Sequence, residues 1–278
     1  MAITTRDQLI DALGNSSSRF IIDKASIANT VAGGYFSLWR ATGQPGQGAI
    51  PTTTARCNNT TIGSMGFVQQ VLPATSYGGW ANAVCGNSAV TIEVHDRLCH
   101  MGGLNATLTT AQTVALTLNG ITADNMQQRI GDANFSNVQW WAEWYADTGA
   151  TASNATVTVT YNDGTTGNLT TFAAGGTIRA GRMIPLNQLI PAAASGKYIR
   201  SIDSVQLSAS TATAGNFGFT CTRPRLTMPL PQANKMEIFD WAQLGFPEIF
   251  NSSCLTIIEL CSTTSTGTVR GGGKIIHG

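Results

Sequence analysis

The chain has 278 residues, only 11% of them charged and 42% hydrophobic, with 16 Lys and Arg against 15 Asp and Glu for a net charge of +1. Ordinary soluble domains carry about 25% charged residues, so this chain relies on Thr, Ser, Asn, Gln and Gly, a surface better suited to packing against neighbours than to steering charged ligands. Basic residues are scattered singly, which argues against a nucleic-acid partner, and apolar runs such as Val114 to Leu118 fall far short of the ~20 residues that span a bilayer, so no membrane association is expected.

In chain order, the polar opening with an early acid does not read as a secretory leader. Thr5-Arg6-Asp7-Gln8-Leu9-Ile10-Asp11-Ala12-Leu13-Gly14 predicts a short helix, with Thr5 as N-cap, Gln8 three residues on, and Gly14 at its end. Phe20 to Ile22 predicts a short strand, and the aromatic-rich Tyr35-Phe36-Ser37-Leu38-Trp39-Arg40 another. Gly43 to Pro51 is too rich in Gly and Pro for regular structure and reads as a surface loop or an extended tether.

From Ala89 onward the pattern is that of strands. Val90 to Val94 alternates, Ala106 to Leu118 is rich in Thr, Leu and Val, and Asn137 to Asp147 carries Trp140, Trp141, Trp144 and Tyr145 on both faces. In Ala155 to Tyr161, Val alternates with Thr, and Asn162-Asp163-Gly164 leads into Asn168 to Phe172, the signature of a hairpin with one buried face. Further strands are expected at Ile199 to Ser208 and Phe217 to Thr222. The fold class is therefore mainly β, a β-sandwich with jelly-roll connectivity. Asn234 to Gly245 reads as a short amphipathic helix, Cys254 to Cys261 as a strand, and Lys274 to Gly278 as a terminus that something must hold. Three segments result: an N-terminal arm (1–60), a sandwich body (61–232), and a C-terminal helix, strand and arm (233–278).

Few constellations invite chemistry. Cys57, Cys85, Cys99, Cys221, Cys254 and Cys261 show no CxxC spacing, so they read either as buried thiols or as cross-linking residues within or between chains. His95, Cys99 and His100 would share a face only on a helix, whereas the segment before Met101-Gly102-Gly103 reads as a turn, so no metal is expected. Glu143 stands among aromatic residues as an acid in a sugar site would, although on a half-buried strand it is expected to face solvent. With three histidines and no GxSxG, HExxH or P-loop pattern, neither catalysis nor a cofactor is expected. Asn-X-Ser/Thr triplets arise by chance in a chain this rich in Asn and Thr and carry no glycosylation argument.

The Thr5-Arg6-Asp7-Gln8-Leu9 opening, the segment Gly34-Tyr35-Phe36-Ser37-Leu38-Trp39-Arg40-Ala41-Thr42-Gly43-Gln44-Pro45-Gly46 and the Thr/Ala/Gly/Asn-rich β body resemble a virion structural protein of a tailed bacteriophage, of the head decoration or cement type. The resemblance covers the first 60 or so residues and, beyond them, composition alone. It implies a trimeric β body on the capsid surface, assembled in the host cytoplasm, with the major capsid protein and copies of itself as partners. Its termini would reach across neighbours, with Tyr35, Phe36, Leu38, Trp39, Arg40, Phe246, Phe250, Ile275 and Ile276 making the contacts. Cysteines could lock those contacts once the particle leaves the reducing host. A tail, collar or fibre component would share this composition, and a carbohydrate-binding sandwich would need open aromatics among Trp140 to Tyr145 or at Tyr77 and Trp80.

Overall fold

The computed structural model describes residues 3–15, 18–71 and 74–278. In chain order its elements are helix α1 (Arg6–Asn15) and strands β1 (Arg19–Lys24), β2 (Tyr35–Ser37), β3 (Gly43–Gln44), β4 (Ala55–Arg56), β5 (Ser76–Cys85), β6 (Val90–Leu104) and β7 (Gln112–Thr117). After helix α2 (Met126–Ile130) come β8 (Gln139–Ala146), β9 (Asn154–Tyr161), β10 (Thr166–Asn168), β11 (Phe172–Ala173), β12 (Arg182–Pro185), β13 (Ile199–Leu207), β14 (Asn216–Leu230), β15 (Glu237–Asp240), β16 (Leu255–Leu260) and β17 (Val269–His277). The chain divides into two compact units: unit 1 comprises 1–48, 58–96 and 224–278, and unit 2 comprises 49–57 and 97–223. The bounds expected from sequence, 1–60, 61–232 and 233–278, do not coincide with these.

Unit 1 holds an antiparallel sheet in the order β15-β5-β17-β1-β3. A second sheet pairs β16 with β2 and with the first half of β6. Phe20, Ile22, Ala81, Ala83, Val269 and Ile275 of the first sheet share one buried cluster with Val90, Ile92, Val94, Leu255 and Ile257 of the second, the packing expected of a sandwich. Helix α1 begins as the sequence predicts: Gln8 N–H donates to Thr5 Oγ1 at 3.3 Å and Thr5 N–H to Gln8 Oε1 at 3.1 Å, a reciprocal cap.

The terminal segments are not extended arms. β17 is hydrogen-bonded on both sides, to β1 through Arg19↔Lys274 and to β5 through Gly273↔Ala81. The three glycines that look like a linker are a strand because its neighbours come so close: a Cβ on Gly273 would lie 2.4 Å from the Phe20 ring. Gly43 to Pro51 is likewise no free tether. β3 pairs with β1, and the buried Lys24 donates to Ala41 O at 3.0 Å and Pro45 O at 2.6 Å. The helix expected over Asn234 to Gly245 is replaced by β15 and a turn, because Ile238 and Phe239 pair with Asn82 and Ala81.

Unit 2 holds the sheet β10-β9-β13-β7, with β11 also on β9. A second set pairs β8 with β12 and with the first half of β14, and β4 with the last part of β6. The alternation of β9 survives intact: Ala155, Val157, Val159 and Tyr161 are buried, while Thr156, Thr158 and Thr160 are half-buried. Its turn works as the residues dictate, with Gly164 at φ +86° and Asp163 Oδ1 accepting from Thr165 N at 3.0 Å. Trp140, Ala142 and Trp144 of β8 join Phe217, Phe219, Val157, Ile202 and Val205 in one core.

Candidate assembly surface

Strand β8 is buried on both faces, and this decides the fate of the aromatic cluster. Trp140, Trp141, Trp144 and Tyr145 are all buried, so they form no open platform for a sugar ring. Glu143 does not face solvent either: it is 1% exposed and meets Arg97, whose Nη2 lies 2.6 Å from Glu143 Oε2 and whose Nη1 lies 3.3 Å from Oε1. Tyr145 Oη donates to Glu143 Oε2 at 2.9 Å, and Thr220 donates to the same oxygen. Arg97 Nε donates to His100 Nδ1 at 3.0 Å. Burial, with Arg97 adding to it, drives His100 down to a pKa of about 3, so the imidazole stays neutral and accepts. Burial and then Glu143 hold the Tyr145 phenol well above its ordinary value. Every hydrogen bond in this cluster serves to satisfy a buried charge.

The His95 to His100 segment is strand, not turn, because β6 runs unbroken through it with partners in β16 and β4. His95 Nε2 lies 2.8 Å from Glu93 Oε2 while His100 turns to Arg97, so the segment's metal-capable groups do not converge. Among the described residues no three His, Cys, Asp or Glu side chains form a metal-holding group. All six cysteines are buried and none is in a disulfide. Asp96 is fully buried and accepts from Ser253 Oγ at 2.9 Å and Cys254 N at 3.0 Å.

Most of the contact residues expected from sequence lie inside the chain's own core. Phe36, Leu38, Trp39, Ile275 and Ile276 are buried, while Tyr35, Arg40, Phe246 and Phe250 are half-buried. An aromatic residue next to others in sequence does not reveal whether its strand is central, and here β2 and β17 are covered by pairing and packing. Arg40 donates to Gly48 O, and Arg225 lies over the Phe250 ring at 5.4 Å, so two of the half-buried residues also have partners within the chain.

The outward-facing apolar groups are elsewhere. Of the eleven exposed large hydrophobic side chains among the described residues, nine belong to unit 1: Ile10, Ile21, Val31, Ile62, Val68, Val71, Met236, Ile238 and Trp241. Two of them share a register row on the outer face of the first sheet, Ile238↔Asn82↔Gly272↔Ile21, and they are 68% and 66% exposed. Beside this sheet Tyr77 stacks on Phe246 with ring centroids 4.4 Å apart, and Trp241 meets Phe246 edge-on at 6.3 Å. Sequence reading passed over Ile21 and Ile238, although each stands where alternation with Phe20 and Ile22, or with Phe239, calls for a polar residue.

No protein-family model matches the chain, and no curated protein is significantly similar to it. Among solved structures it is similar to infectious bursal disease virus VP2 in a subviral particle, at 11% identity and TM-score 0.19, covering 98% of this chain and 84% of that one. It is also similar to the virus-derived T=1 particles, at 10% identity and TM-score 0.17, covering 94% of this chain and 76% of that one. TM-scores this low do not establish a shared fold.

Proposed function

We propose that the chain is a non-enzymatic virion structural protein that decorates and stabilises a tailed-phage capsid, with unit 1 turned towards the major capsid protein and towards copies of itself in a homotrimer. One observation carries this reading: in a protein poor in charge, nine of the eleven exposed large hydrophobic side chains among the described residues belong to unit 1. Large apolar side chains gathered on one face, as Ile21 and Ile238 are on one row of the first sheet, mark surfaces that another protein covers. The other unit exposes mainly Thr, Ala, Asn and Gly, with few large apolar side chains, and suits the role of the solvent-facing part.

The same surface would serve a tail, collar or fibre component. A carbohydrate-binding module has less support, since of the residues it would need Trp140, Trp141, Trp144 and Tyr145 are inside and Tyr77 and Trp80 are half-buried, Tyr77 stacked on Phe246.

Immunogold labelling of intact particles with antibody against residues 131–232 tests the reading. Label over the heads is expected. Label confined to tail or neck moves the protein there, and particles without label overturn the virion role.

A further inference from the structure

We propose that a cleft in unit 2 between the edge strands β4 and β7 is a docking slot for an extended polypeptide segment of another protein, one that carries a carboxylate and pairs with both edges as an added strand. This goes beyond the assembly reading, since it concerns the other unit and uses none of the apolar residues of unit 1.

Strand β7 is the last strand of β10-β9-β13-β7, and β4 is the last on the β6 side of its own sheet. Each therefore has an outer edge with no strand on it among the described residues, and the backbone N–H and C=O groups at such an edge are complementary to another strand. The two edges line one cleft of about 230 Å³, with Thr54, Ala55 and Arg56 on the β4 side and Ala115, Leu116 and Thr117 on the β7 side. Ala55 and Ala115 are exposed and small, which leaves room for a backbone to approach. Ala115 has φ +50°, beside the register shift between Ile202 and Ser204 on β13. A bulge of this kind bends an edge away from indiscriminate pairing, so a segment that docks must follow the bend.

Arg56 selects the charge of the occupant. It is exposed, lines the cleft and forms no ion pair among the described residues. A carboxylate on the incoming strand would give it a charge-assisted partner.

The test uses the whole chain and short synthetic peptides of alternating Thr and Val with one central Asp or, in the control, one central Lys. Hydrogen exchange and calorimetry are read together. The Asp peptide is expected to slow exchange at 54–56 and 113–117 and to bind roughly tenfold more tightly than the Lys peptide, about the difference one charge-assisted contact makes. Arg56→Glu reverses that preference and Arg56→Lys retains it, and because the side chain is exposed both variants fold. Equal binding of the two peptides, protection elsewhere on the chain, or no protection with either peptide overturns the proposal. Protection that appears without peptide and grows with chain concentration also overturns it, by giving the cleft to a second copy.

Discussion

Both units bury charge, and unit 1 leaves one of its buried acids, Glu259, without a counter-charge. In unit 2 Arg97 and Glu143 meet as a two-point pair, with Tyr145, Thr220 and His100 taking up the remaining donors and acceptors. In unit 1 Glu259 is fully buried with Oε2 unpartnered, and its other oxygen has only the Cys261 thiol, at 3.5 Å. Lys24, buried in the same unit, meets carbonyl oxygens but no acid, and burial lowers its pKa to about 8. The surfaces differ as well, since among the described residues unit 2 exposes two large apolar side chains and unit 1 nine. Unit 2 also leaves Trp144 Nε1 and Tyr161 Oη without a hydrogen-bond partner among the described residues, so what sets unit 1 apart is a buried carboxylate without a counter-charge together with apolar groups outside, and both cost it stability as a separate body. A neighbour covering unit 1, as proposed for the capsid, would relieve both costs.

The comparison breaks most severely at Glu143. Glu143→Gln leaves the Arg97 guanidinium buried without its counter-charge, and about 3–5 kcal/mol of stability should be lost. Urea unfolding followed by hydrogen exchange at β8 and β14 reads this. Replacing both partners by apolar residues, Arg97→Met with Glu143→Leu, should cost less than the single change, because no uncompensated ion remains. If Glu143→Gln behaves like wild type, the pair is not what holds unit 2.

Glu259 sharpens the other half. Burial raises its pKa to about 8 from an ordinary 4.5, against a smaller opposing contribution from the Cys261 hydrogen bond. Between those two pH values the folded chain holds a proton that the unfolded chain has released. Stability therefore falls as pH rises through this window, by at most ~1.4 kcal/mol per pH unit, and levels off above the folded pKa. Glu259→Gln should remove this slope and leave the variant the more stable of the two near pH 8. A series of urea midpoints from pH 5 to 9 measures it, and an unchanged slope in the variant assigns the dependence to other groups.

Sequence alone revealed the parts of the fold that local chemistry decides. The Thr/Val alternation of β9 and its Asp163-Gly164 turn need only neighbours in sequence, and so does the cap of α1 by Thr5 and Gln8. What stayed hidden depends on partners far along the chain. Gly271 to Gly273 has no strand propensity, and β5 and β1 make it a strand by pairing on either side. Glu143 looks like a solvent-facing residue until Arg97, 46 positions away, is brought onto it. The burial of expected contact residues stayed hidden for a related reason: Phe36 and Trp39 are apolar in sequence wherever they end up, and only the sheet order shows that they are inside while Ile21 and Ile238 are out.

The smallest effect on folding falls on that pair. Ile21 and Ile238 lie on the outer face of a sheet whose inner face makes the core, so replacing each with Thr keeps a good strand former and removes only exposed apolar area. The double variant should fold with a stability within about 0.5 kcal/mol of wild type. Association of the chain with itself, measured by sedimentation velocity over a range of concentrations, should weaken all the same. Leu108→Thr, which removes an exposed apolar side chain from unit 2, is the matched control and should leave association unchanged. A double variant that associates as wild type does would mean that this face of unit 1 is bare for reasons unconnected with assembly, and equal weakening by Leu108→Thr would erase the distinction between the two units. The outcome that keeps the distinction is a fold indifferent to both changes and an association sensitive to one, because an interface is the place where a side chain can be dispensable to its own chain and necessary to the next.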